Sequence, residues 1–272
     1  PTGTANVALG DAALDDGSLS GGYNTAVGTG SLSANTSGQQ NASFGAYSLD
    51  ANTTGSYNAG FGQSSLGSNT TGSYNTSLGR GTLSANTTGN QNTAVGYQSL
   101  TTNTTGQYNT AVGYNSLSVN NASFNTAVGH DALDINTTGQ RQVAVGHNAL
   151  GNNTEGSYNV AIGRDALISN INASNNTAVG YQSLYANLQS PNSAFGAYSL
   201  LNNTNGYSNN AFGISSLRNN TTGTRNSAFG ESSLNSNTTG GYNTAMGNNA
   251  LQANTTASNN TAVGYASSDA IT

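Results

Sequence analysis

The sequence predicts an all-β protein, a parallel β-solenoid of about sixteen 17-residue coils, and three observations carry that prediction. A glycine that closes a short apolar motif returns from Gly10 to Gly264 at steps of 17 residues, with one step of 18 and two of 16. Seventeen residues are too few for a helix–turn–helix repeat, which takes roughly 33 or more. Abundant Gly, Asn, Ser and Thr beside β-branched apolar residues disfavours helix and suits short strands and turns. The pattern fills residues 1–272 without a linker or a composition shift, so one array is expected rather than several domains.

The copy Asn92 to Tyr108, NTAVGYQSLTTNTTGQY, shows the elements in order. NTAVG reads as a strand, because side chains alternate across it and its apolar residues are strand formers. The glycine permits a corner at positive φ. The xSL segment reads as a second strand, carrying a leucine four residues after the glycine in every copy but the last, where Ser268 stands. NTTG reads as a turn. Identical asparagines stacked ~4.8 Å apart are expected to form hydrogen-bonded ladders, which satisfies amides without charge.

That stacking also accounts for the composition. Charged residues are 6% of the chain, where an ordinary domain carries roughly a quarter. Lysine is absent, and the cations are Arg80, Arg141, Arg164, Arg218 and Arg225. Like charges repeated on every coil would repel. A net charge of −5 without clustered Lys or Arg gives no grip on nucleic acid, and no apolar run reaches the ~20 residues of a membrane span. Without cysteine there is no disulfide frame, thiolate metal site or cysteine nucleophile. Both ends lie inside the pattern, so the sequence is expected to be part of a longer fibrous protein.

One chain looks insufficient for its own core. The residue before each glycine is large and apolar (Leu9, Val27, Phe44 and onward), and the one before that is alanine in thirteen copies. Whichever column points inward, the other leaves a regular apolar stripe outside. A coil offers two large side chains worth roughly 1.5–3 kcal/mol each when buried. Ordering it costs about 1.5 kcal/mol per residue. Self-association through the NTAVG strand is therefore expected, with Ala94, Ala111, Ala127, Ala144, Ala161 and Ala178 on the strand concerned, most simply as a parallel homotrimer. A monomer with a tight Ala/Val/Leu core is the alternative.

The strand NTAVG resembles the S-V-A-I-G strand of YadA-like heads in trimeric autotransporter adhesins, and NTAVGYxSL followed by NTTG resembles repeats of phage and prophage tail fibres. The resemblance covers all sixteen copies and implies a trimeric extracellular fibre. One departure is plain: the adhesin heads repeat at about 14 residues, this chain at 17.

Candidate sites are few. His130 and His147 stand 17 apart directly after their glycines, where a surface metal site or simply a solvated corner can be imagined. The carboxylates are scattered, with no paired acid/base constellation of the kind hydrolases use. Neither an enzyme nor a cofactor is expected. Tyr57, Tyr74 and Tyr108 share one column and Tyr97 and Tyr114 another, so they can form exposed ladders for stacking sugar rings, or shield the corners. Sequons at Asn52, Asn69, Asn86, Asn103 and Asn237 are candidate glycosylation sites on protruding turns, unless Asn and Thr stand there for backbone reasons. Ice binding would want an unbroken strand-threonine array, and Val7, Ala42, Ala59, Val143, Val160 and Asn210 interrupt it. The expected function is a non-enzymatic fibre, the shaft or receptor-binding region of a tail fibre or surface adhesin. Its partners are itself and host-cell glycans or receptors. A self-assembling filament and an ice-binding module are the alternatives.

Overall fold

The computed structural model describes residues 5–268, in which every regular element is a short parallel strand. No helix is long and apolar enough to cross a membrane among the described residues. The chain divides into two compact units, residues 1–138 and 139–272. Each coil of a solenoid touches only its neighbours, so a continuous sequence pattern does not by itself make one compact body. The first unit holds strands β1 (Val7–Leu9) to β8 (Thr126–Val128), and the second β9 (Val143–Val145) to β16 (Thr261–Val263). Within each unit consecutive strands pair parallel and in register, as in Thr93↔Thr110, Ala94↔Ala111 and Val95↔Val112.

The strand alternation resolves which column is inside. Ala94 and Ala111 are fully buried, whereas Thr93 and Val95 on either side are half-buried and face outward. The coil interior is built from alanine, the small residue before the leucine, the leucine itself and two asparagines. It is too narrow for valine or phenylalanine. The three exceptions to alanine obey this fit. Ser43 Oγ donates to the Ser48 carbonyl at 2.8 Å and accepts from Ser31 Oγ at 2.7 Å. Ser77 Oγ donates to the Thr82 carbonyl at 2.9 Å. At Gly60 a Cβ would lie 2.7 Å from Ser48 Oγ, so a side chain there would require that hydroxyl to turn away.

The xSL segment is a turn, not the second strand that its sequence suggests. Gln98 and Leu100 both take left-handed conformations, with φ of 53° and 51°, and the same two positions do so in coil after coil. A left-handed non-glycine residue costs roughly 1–2 kcal/mol. Burying the leucine completely returns roughly 1.5–3 kcal/mol, and its N–H also donates to Ser116 of the next coil at 3.0 Å. The two left-handed residues together cost roughly 2–4 kcal/mol, which burial and the ladder offset.

The recurring glycine has a steric cause. Gly96 has φ of 130°, and a Cβ there would lie 2.3 Å from the carbonyl oxygen of Gly113 on the next coil. The backbones of neighbouring coils meet at this corner, so no side chain is possible.

Two buried asparagine ladders hold the coils together. In the opening column, Oδ1 of Asn41 accepts the backbone N–H of Asn58 at 2.9 Å, while its Nδ2 donates to the Gly55 carbonyl across its own coil at 2.9 Å. In the turn column, Asn69 Nδ2 donates to Asn52 Oδ1 at 2.8 Å and to the Gly72 carbonyl at 2.9 Å. The 16-residue step between Gly113 and Gly129 is absorbed by a side chain. Asn121 Oδ1 accepts the N–H groups of Thr104 and Thr105 at 3.1 and 2.9 Å, bonds that a threonine carbonyl takes in a full-length coil.

Candidate functional site

Because the alanines are inside, the outward strand face consists of two columns, threonine or its substitutes and the large apolar residue before each glycine. That second column is continuous within each unit and half-exposed. Phe44 and Phe61 stack with ring centroids 4.9 Å apart, as do Phe195 on Phe212 at 4.7 Å and Phe212 on Phe229 at 4.9 Å. Leu78 and Met246 are about half exposed in the same column. Ala94, Ala111, Ala127, Ala144, Ala161 and Ala178 present no surface, being fully buried in their own coils. Contact through this strand would be made by the threonine, valine and phenylalanine positions flanking them. The strand threonines point outward too, and Thr76, Thr93, Thr110 and Thr126 run in register without interruption.

The sequon asparagines do not protrude. Asn52, Asn69, Asn86, Asn103 and Asn237 are fully buried in the turn ladder. Asn103 Nδ2, the atom a glycan would occupy, donates to Asn86 Oδ1 at 3.1 Å and to the Gly106 carbonyl at 3.0 Å. The folded coil leaves no room for a sugar there, and the asparagine serves the backbone.

The tyrosines are exposed, and they stack. Tyr57 and Tyr74 lie 4.8 Å apart, Tyr97 and Tyr114 5.4 Å, and Tyr108 packs on Phe124 at 5.0 Å. The Tyr57 column takes left-handed backbone in every described coil except the one where Pro191 stands, with φ of 61° at both Tyr57 and Tyr74. Cross-coil stacking offsets part of that strain, at about 0.5–1.5 kcal/mol per aromatic pair.

Each of the five arginines lies over a tyrosine ring. Arg80 sits over Tyr97, Arg141 over Tyr158, Arg164 over Tyr181 and Arg218 over Tyr198, with Cζ 5.4 to 5.9 Å from the centroid. Arg225 lies between Tyr207 and Tyr242, at 5.3 and 5.2 Å, and its Nη1 donates to the Tyr242 hydroxyl at 2.6 Å. Column-by-column reading of the sequence misses this pairing. The available signal is that Arg80, Arg141, Arg164 and Arg225 each precede a tyrosine by the 17-residue period.

The histidines fall in different units. His130 stacks on Tyr114 at 4.9 Å, with Nδ1 2.8 Å from the Asp131 carboxylate. His147 lies 3.9 Å from Asp165, whose other oxygen is 3.3 Å from Arg164. Among the described residues no group of three or more His, Cys, Asp or Glu gathers as a metal site. Burial raises the carboxyls of Asp50 and Asp134 above the ordinary range, the latter against the lowering effect of a hydrogen bond from Ser118. The Ser18 hydroxyl, ahead of its backbone N–H, lowers Asp16. No family model and no curated protein matches the chain.

Proposed function

We propose that the chain is a non-enzymatic, extracellular fibrous segment that self-associates through its outward strand face, most simply as a parallel homotrimer, and serves as the shaft or receptor-binding region of a tail fibre or bacterial surface adhesin. The observation that carries this reading is the half-exposed apolar column on the outward strand face, continuous within each unit. Soluble monomers rarely expose contiguous apolar surface of this kind, and large patches mark interaction sites. A second copy of the same chain carries the same period, so its column matches coil for coil. Completing the burial of a half-exposed valine or phenylalanine is worth about 1 kcal/mol. Repeated over many coils, that competes with the roughly 4–15 kcal/mol cost of association. The resemblance to adhesin heads and tail-fibre repeats supports the biological setting.

The absence of native cysteine makes the test clean. Val95→Cys is expected to form interchain crosslinks and to resist thiol labelling at high protein concentration, while Ala94→Cys stays protected at every concentration without crosslinking. A Val95→Cys thiol that reacts as an exposed monomer at all concentrations overturns the reading. A second reading is favoured by the uninterrupted outward run Thr76 to Thr126, which offers a threonine face to ice; thermal hysteresis of the native chain decides it.

A further inference from the structure

At one corner of the first unit, the columns that follow the glycine and the leucine lose their large side chains for two coils. Ser64 and Gly81 occupy positions filled by Tyr47 one coil earlier and Gln98 one coil later, and Gly67 stands between Asp50 and Ser84. The result is an open, shallow groove of two adjoining depressions, about 480 and 160 Å3, whose linings share Ser64 and Ser84. Tyr47, half exposed, lines one end. Its ring packs close to Gly30, where a Cβ would lie 2.9 Å from Cδ1, so its opposite side faces the groove. Tyr97 lines the other end, backed by Tyr114 and overlain by the Arg80 guanidinium. Three coil steps separate the ends, roughly 14 Å.

The Ser84 hydroxyl donates to the Thr101 carbonyl at 3.4 Å, and the Asp50 carboxylate accepts from backbone N–H groups of Asp50 and Ala51, which leaves the acceptor capacity of Asp50 only partly used. Asp50 lies at the Tyr47 end, with its carboxylate over Gly67, where a Cβ would be 3.3 Å from Oδ1. Arg80 lies at the Tyr97 end, beside the amides of Gln63 and Gln98. Among the described residues neither Asp50 nor Arg80 makes an ion pair. An aromatic face at one end, hydroxyls on the floor, amides, a carboxylate acceptor and a fork-shaped cation make a surface for a chain of polyhydroxylated rings. A guanidinium recognises a carboxylate through two parallel N–H donors.

We propose that this groove binds a short acidic oligosaccharide, with a sugar ring against Tyr47, its hydroxyls on Asp50, and a carboxylated sugar on Arg80. The inference deepens the receptor-binding side of the function proposed above and needs no particular oligomer.

The test is retention of the native chain on a panel of immobilised oligosaccharides, uronate- or sialate-bearing and neutral, across salt concentrations. Three variants take residues that the same columns carry on other coils, so each is compatible with the coil: Tyr47→Ser, Arg80→Gln and Gly81→Gln. Gly81 has room for a side chain, since a Cβ there meets only Gln98 Cγ at 3.7 Å. The expected result is binding of acidic members that weakens with salt, with each variant at least tenfold weaker. Tyr158→Asn, in the second unit, is expected to bind as the native chain does. No retention of any panel member at millimolar sugar, or unchanged binding by Gly81→Gln, overturns the groove. Equal binding of neutral and acidic members overturns the role of Arg80. Mass measured on the same samples separates the two claims, because a monomer that binds refutes self-association alone, and a trimer that does not bind refutes the groove alone.

Discussion

Replacing one buried asparagine of the turn ladder should open the coils around it by an amount that the hydrogen bonds define. Asn86 Nδ2 donates to Asn69 Oδ1 at 2.7 Å and to the Gly89 carbonyl at 3.0 Å, and its Oδ1 accepts from Asn103 Nδ2 at 3.1 Å. In Asn86→Ala the Gly89 carbonyl keeps a donor, Asn75 Nδ2 at 2.9 Å, and Asn103 keeps the Gly106 carbonyl at 3.0 Å. Asn69 Oδ1 loses its partner inside a closed interior. An orphaned buried acceptor costs roughly 1–3 kcal/mol and each lost bond about 1 kcal/mol net, so the local loss is about 3 kcal/mol. A solenoid opens coil by coil, which makes amide hydrogen exchange a sharper assay than a global melt. Exchange at Thr87 and Thr104 should accelerate roughly a hundredfold, at about 1.4 kcal/mol per factor of ten.

Asn86→Asp keeps the shape but aims a carboxylate at two acceptors. Its pKa is raised on folding, so the penalty is smallest below the unfolded value of about 3.9 and grows as pH rises toward the folded value. It should be worse than Asn86→Ala at pH 7 and approach the native chain in acid. Exchange changing by less than threefold in Asn86→Ala, or an Asp variant indifferent to pH, would refute a ladder that carries load.

Gly113→Ala should prevent that coil from closing, because its Cβ would lie 2.3 Å from the Gly129 oxygen at φ of 138°; a soluble protein with an unchanged melting temperature contradicts this. Tyr74→Ala should cost about 0.5–1.5 kcal/mol through the lost ring pair with Tyr57, visible as a small fall in melting temperature. Asp134 has its carboxyl raised by burial, so it contributes most stability in acid and loses it as pH rises through the folded value. Asp134→Asn should flatten that part of the pH–stability curve. Folded chain secreted from a glycosylating host should carry no glycan at Asn103 by peptide mass mapping.

The period, the NTAVG strand and the amide ladders were legible because each is a statement about identity at a fixed spacing. Which side of the strand faced inward was not, since Ala94 and Val95 are both apolar and alternation alone does not rank them. The decision lies in the narrowness of a coil whose opposite wall is Leu100. The xSL turn was hidden for a related reason. Nothing in Gln98-Ser99-Leu100 announces two left-handed residues, and only stacking makes a buried leucine in that conformation favourable. The sequons left two readings open because Asn-Thr-Thr-Gly serves equally as an acceptor motif and as a turn. The groove was unreadable in any single copy. It comes from Ser64, Gly67 and Gly81 being small on neighbouring coils at once, a coincidence that is invisible until the coils are stacked.

Absolute mass by light scattering on a size-exclusion column, over a wide range of concentration, tests the self-association of the outward strand face most directly. A fixed mass of three chains is the predicted result. A single-chain mass at every concentration contradicts it, and a mass that climbs without limit replaces the closed trimer with an open filament.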